Sequence, residues 1–210
     1  RSGGVSETID VMLAITSPQE TKYTELAPNQ GKFEIPACYP GYGTTLGNAL
    51  RRVLLSSLEG AAAHSIKING VSHEFSTIPG VMEDVVQIIL NLKQVRFRLF
   101  GDEPVKVSIK SKGEGVITAG DIKTASNVEV VNTDQVIATI TDKKTEFEME
   151  IEIDKGIGYL PAEQRDREER EIGMIAIDAI YTPVKRVNYE VENMRVGKRT
   201  DFDKITLEVL

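Results

Sequence analysis

Tryptophan is absent from the chain, and 210 residues include only one cysteine and two histidines. A single thiol, Cys38, cannot close an intramolecular disulfide or nucleate a Cys-rich zinc site. His64 and His73 stand in strand-like alternation with no second ligand at metal spacing, so two partly exposed sheet residues are expected, and no metal. Long hydrophobic runs are also missing. Val85-Val86 and the run 88–90 are far below the ~20 apolar residues of a membrane-spanning helix, and no secretory-leader pattern is seen. The balance of 25 Lys and Arg against 32 Asp and Glu leaves −7, without the basic footprint of a free-standing nucleic-acid binder. The expected setting is a reducing cytoplasm. Such acidity still suits a subunit of a nucleic-acid machine that leaves DNA contact to its partners.

What is present is ordinary globular composition, 40% apolar and 27% charged. The length fits one large or two small domains, with ~70% of the unfolded surface buried. Strands are expected at 5–15, 21–26 and 32–35, followed by a helix from Thr45 to Leu58 capped by Thr44 or Thr45 and closed by Gly60. Next come strands at 64–69 and 72–75 across the Asn69-Gly70 turn, then a helix from Val81 to Gln94. Alternation marks strands at 95–99, 105–109 and 147–153, with one sheet face in water. Residues 156–171 read as an exposed charged loop, and 173–181 and 184–192 as apolar strands. Few helices among many strands give an α+β class. Arg1 in place of Met, and a last alternation (204–210) that stops in mid-pattern, suggest a longer natural chain.

Catalytic patterns are scarce. No G-x-S-x-G is present. Gly41 to Gly47 looks superficially like a phosphate cradle, but its spacing is G-x-G-x-x-x-G, no P-loop lysine follows, and Pro36 and Pro40 interrupt the strand before it. A tight turn and helix cap are expected there, with a small nucleotide-binding enzyme as the distant alternative. Asp201-Phe202-Asp203 is too short a pattern for a metal pair, and a solvated turn before the last strand is expected.

At about 100° per residue, Leu46, Ala49, Leu50, Val53 and Leu54 share one face of the first helix. Asn48, Arg51, Arg52 and Leu55 share the other. Arg, Leu and Asn on an outward face make the composition of a small contact patch, although one exposed Leu alone needs no explanation. The second helix is apolar over more than half its circumference, so it is deeply buried or has a second partner.

The string Gly43-Thr44-Thr45-Leu46-Gly47-Asn48-Ala49-Leu50-Arg51-Arg52-Val53-Leu54-Leu55-Ser56-Ser57 resembles the N-terminal domain of bacterial RNA polymerase alpha subunits. Strings at 70–77, 83–93, 156–162 and 199–204 continue the resemblance in the same order, so it covers essentially the whole chain. It implies a discontinuous dimerisation domain, 1–58 with 180–210, and a mostly β insert domain at 59–179. It further implies a homodimer seam of Leu46, Ala49, Leu50, Val53 and Leu54, with Arg52 and Leu55 meeting the beta subunit. Beta-prime contacts map to Lys93, Ile177 and Val184, and more weakly to Lys204. The implied role is an assembly scaffold in a nucleotidyltransferase complex, with no catalytic residue, cofactor, metal, membrane or direct DNA contact of its own. An archaeal-like or organellar heterodimerising counterpart is the nearer alternative. Two departures stand out: residues 35–40 differ from the family pattern before the glycine turn, and the family's last dimerisation helix, linker and DNA-binding C-terminal domain are not in these residues.

Overall fold

The structure, a computed structural model, describes residues 17–164 and 173–210. The strand expected at 5–15 and the far part of the charged loop lie outside them. In chain order the elements are β1 (Lys22–Ala27), β2 (Gln30–Cys38), α1 (Tyr42–Ser56), β3 (Glu59–Ile68) and α2 (Val85–Leu92). There follow β4 (Phe97–Leu99), β5 (Val105–Lys112), β6 (Gly115–Thr118), β7 (Val128–Val130), β8 (Val136–Ile140), β9 (Glu146–Ile157) and β10 (Tyr159–Leu160). The last strands are β11 (Ile175–Ala176), β12 (Ala179–Ile180), β13 (Val187–Val196) and β14 (Arg199–Val209). Among the described residues, two α-helices set among antiparallel strands make the fold α+β. The chain divides into two compact units, one holding residues up to Leu55 together with Val184–Leu210, the other Ser56–Pro183.

The discontinuous unit is one sheet in the order β1-β2-β14-β13 under one helix. Cys38, Val187, Ile205 and Leu207 form its buried cluster, on which Leu46, Leu50, Leu54 and Leu55 of α1 pack half-buried. Two glycines a turn apart let the helix lie down on β13. A Cβ on Gly43 would stand 2.6 Å from Val191 Cγ1, and one on Gly47 2.5 Å from Tyr189 Cδ2. Strand β2 runs through Pro36 because it bulges there. Ile35 pairs Ile205 and Cys38 pairs Asp203, leaving two residues opposite one, with Ala37 at φ 58.

The inserted unit is built on a six-stranded sheet, β5-β9-β3-β4-β7 with β11 beside β3, plus the pairs β6-β8 and β10-β12. Alternation along β5 and β9 sends Val107, Ile109, Phe147, Met149, Ile151 and Ile153 into the core. The opposite face carries a ladder of ion pairs, Lys106–Glu152 at 2.9 Å, Lys110–Glu148 at 2.5 Å and Lys112–Glu146. Helix α2 is capped by Asp84, whose Oδ1 accepts from the Gln87 amide at 2.7 Å, and buries Val85, Ile88, Ile89 and Leu92.

Several boundaries differ from expectation, four of them for reasons visible in the packing. Helix α1 begins three residues before Thr45, because neither threonine is its cap. Gly60 is no helix stop but a strand residue, pressed against the backbone of Tyr181. Residues 72–75 turn instead of pairing, and the Ser76 amide donates to the His73 carbonyl. Helix α2 starts at Val85 because Val81 is bridged to Ile140 in a sheet contact.

Candidate interaction site

Helix α1 carries the residues singled out from the sequence, and the sheet decides which of them face out. The buried side centres on Gly43, Gly47, Leu50 and Leu54. This is turned about 60° from the centre of the Leu–Ala–Val stripe at about 100° per residue. The turn leaves Ala49 exposed and Val53 51% exposed, beside exposed Tyr42, Thr45 and Arg52. It also brings Leu55 to the margin of the core, where it packs half-buried, so the outward position expected for Leu55 is corrected. Arg51 is tied down, its Nε donating to the Val187 carbonyl at 3.0 Å. Thr44, Thr45, Asn48, Ala49, Arg52 and Tyr189 line an open groove of ≈ 470 Å³ along the outer side. Glycines have no hydrophobicity to register in an apolar stripe, which is why the sequence pattern pointed beside the true contact line.

The remaining expected contacts divide between the units. In the inserted unit Lys93 Nζ lies 3.0 Å from Asp178 Oδ2, and Asp178 Oδ1 accepts from the Ala162 amide at 3.0 Å. That amide, then Lys93, holds the Asp178 carboxyl below the usual range despite partial burial. Burial, then the bond to Asp178, pushes the Tyr159 phenol up. Ile177 is 3% exposed in the core, and its amide donates to the His64 carbonyl. In the discontinuous unit Val184 is half-buried against the small core. Lys204 Nζ sits 3.0 Å from Glu34 Oε1, an interaction that holds Glu34 low and Lys204 high.

The glycine turn does not cradle a phosphate. The amides of Gly41 and Gly43 donate to Asp203 Oδ2 at 3.0 and 2.8 Å, so the anion they hold is the chain's own carboxylate. Asp201 and Asp203 lie inside β14, not in a solvated turn, and Asp201 is engaged by Arg199 at 2.7 Å. His64 Nε2 is 3.9 Å from Asp154 Oδ2, and His73 lies beside the Ser76 hydroxyl in a turn. Among the described residues no group of three His, Cys, Asp or Glu could hold a metal ion, and no helix is long and apolar enough to cross a membrane. Asp178 carries no pattern that hydropathy or spacing could have flagged, and Asp203 stands in a short D-x-D pattern whose spacing gives no hint of its bonds to the Gly41 and Gly43 amides.

Fold and surface define a two-unit α+β protein with an exposed helix face on its discontinuous unit. The RNA polymerase Rpb3/RpoA insert domain matches residues 66–182, all within the unit Ser56–Pro183, and the chain belongs to that family. It is 54% identical over 198 residues to a DNA-directed RNA polymerase subunit alpha of Roseiflexus castenholzii, covering 94% of this chain and 60% of the relative. The subunit of the same name from Moorella thermoacetica is 50% identical over 94% of this chain and 63% of its own length. That of Alkaliphilus oremlandii is 55% identical over 85% and 56%. The chain thus spans about three-fifths of the length of these curated relatives.

Proposed function

We propose that this chain is the assembly part of the alpha subunit of a cytoplasmic DNA-directed RNA polymerase. Two copies associate, and the pair collects the beta and beta-prime subunits. The observation that carries the reading is the outer face of α1, where Ala49 and Val53 lie exposed on a unit whose own core fully buries few side chains. A thin core under a helix with apolar residues on both sides calls for a covering partner. In this reading the discontinuous unit is the dimerisation domain and Ser56–Pro183 the insert domain. Ala49 and Val53, with the margins of Leu46, Leu50 and Leu54, meet the second copy. Arg52 anchors the beta subunit with a planar, permanently charged donor that Lys cannot replace, and Leu55 supports it from the helix margin. Lys93, Val184 and Lys204 mark the beta-prime side, with Ile177 shaping it from beneath. Nucleotidyl transfer then belongs to the large subunits.

The test is capture of a purified bacterial beta subunit by the immobilised chain, with Arg52→Ala run alongside. Retention by the wild type and loss by a still-folded, still-associated Arg52→Ala supports the reading. No retention by a folded wild-type dimer overturns it.

A further inference from the structure

Helix α1 starts without a cap of its own. The residue before Tyr42 is Gly41, at φ 83 and with no side chain, and the first turn holds no acidic residue. The opening N–H groups of a helix have no intrahelical acceptor, and a side-chain oxygen at the position before the helix normally supplies one. Here the oxygen comes from 160 positions away along the chain. Asp203, on β14, is 7% exposed, and with Ser65 makes up the buried polar side chains among the described residues. Its Oδ2 takes both the Gly41 amide, at 3.0 Å, and the Gly43 amide, at 2.8 Å. Asp203, Ile205 and Leu207 alternate along β14 as buried residues, the last two in the core that α1 covers. The carboxylate therefore occupies the place in the alternation that lies at the start of the helix. Packing allows little slack: a Cβ on Gly43 would sit 2.8 Å from both Asp203 Cβ and Oδ2. A negative group at the positive end of the helix dipole, bonded to two amides and shielded from water, is a charge-assisted clamp.

We infer that Asp203 is a positioning residue, a cap lent by β14 to α1 that fixes where the helix begins. It thereby fixes the placement in which Ala49, Arg52 and Val53 are presented. The capping follows from the geometry alone, and its consequence for assembly rests on the proposed function above.

Asp203→Ala, Asp203→Asn and Arg52→Ala, made in the full-length subunit, separate the two statements. Backbone hydrogen exchange over residues 41–46 reads the cap, and retention of a purified beta subunit reads the consequence. Asp203→Ala should speed exchange in that first turn by about tenfold, the size of a lost cap, and weaken retention. Asp203→Asn keeps an acceptor oxygen and loses the charge, so it should fold, exchange a few-fold faster in the first turn only, and recover most of the retention. Arg52→Ala should lose retention with first-turn exchange unchanged. Unaltered first-turn exchange in the Asp203 variants, or acceleration spread evenly over the chain in Asp203→Asn, overturns the capping. A local acceleration in Asp203→Ala with retention at the wild-type level overturns the positioning role. A wild type that fails to retain beta, while first-turn exchange responds to Asp203, sinks the assembly reading and leaves the cap standing.

Discussion

At Gly60 the chain has no room for a methyl group, because a Cβ there would overlap the carbonyl oxygen of Tyr181. The neighbour is backbone and cannot swing away, so Gly60→Ala should cost about 1–3 kcal/mol, as overpacking does. Gly115 faces open space at an ordinary φ, and Gly115→Ala should leave stability unchanged or raise it by a few tenths of a kcal/mol. Denaturant midpoints of the two variants check the contrast, and equal midpoints would show that Tyr181 yields. Asp178 gives a residue-scale prediction in pH. Its folded carboxyl is held below the ordinary aspartate value of about 3.9 by the Ala162 amide and then by Lys93. A depressed acid contributes its full stability above that ordinary value and loses it as pH falls through the lower folded one. The stability gap between wild type and Asp178→Asn should be constant from pH 5 to 7 and shrink below about pH 4. A gap that widens on acidification would mean that the carboxyl is not the favoured form in the fold.

At the scale of elements, α1 illustrates what a sequence pattern carries and what it does not. The regular alternation of β5 and β9 was legible because a strand with one wet face must alternate, and both strands pair through nearly all the expected positions. The helix was legible as a helix, but its contact line was not, since that line is drawn by Gly43 and Gly47 and by the side chains of Val191 and Tyr189 that press on them. Its start was displaced for a related reason, as the cap comes from a strand far away in sequence. The difference matters for experiment. Leu50 is half-buried on the unit's own core, so a charge there would damage the fold as well as any seam. Val53 is the cleaner probe: Val53→Asp, on an exposed position, should change monomer stability by less than about 0.5 kcal/mol. It should nonetheless convert a dimer to a monomer in light scattering, because the seam would bury an unpaired charge. A dimer that survives Val53→Asp would move the seam elsewhere on the molecule.

For the whole molecule the two units stand on unequal footing. The inserted unit has a continuous core of aliphatic residues from α2 and its sheet, with Phe147 and Met149 fully buried, and a capped helix. Its two ends also meet, because Gly60 near its start touches Tyr181 near its finish. The discontinuous unit has one helix on one side of four strands and four buried apolar residues in its cluster, so the proposed second copy is expected to add to its stability. This inequality was not legible in composition; it arises from which strands the topology gathers under which helix. A fragment of residues 56–183 should therefore fold alone, with a single sigmoidal thermal transition and dispersed amide resonances. The joined segments 17–55 and 184–210 should need protein concentration to fold, their midpoint rising as association is driven by mass action. A fragment 56–183 that melts without a cooperative transition would show that its core borrows stability from the rest of the chain. A concentration-independent midpoint for the joined segments would show that α1 and its sheet suffice, and would remove the physical reason for expecting a partner on the outer face of the helix.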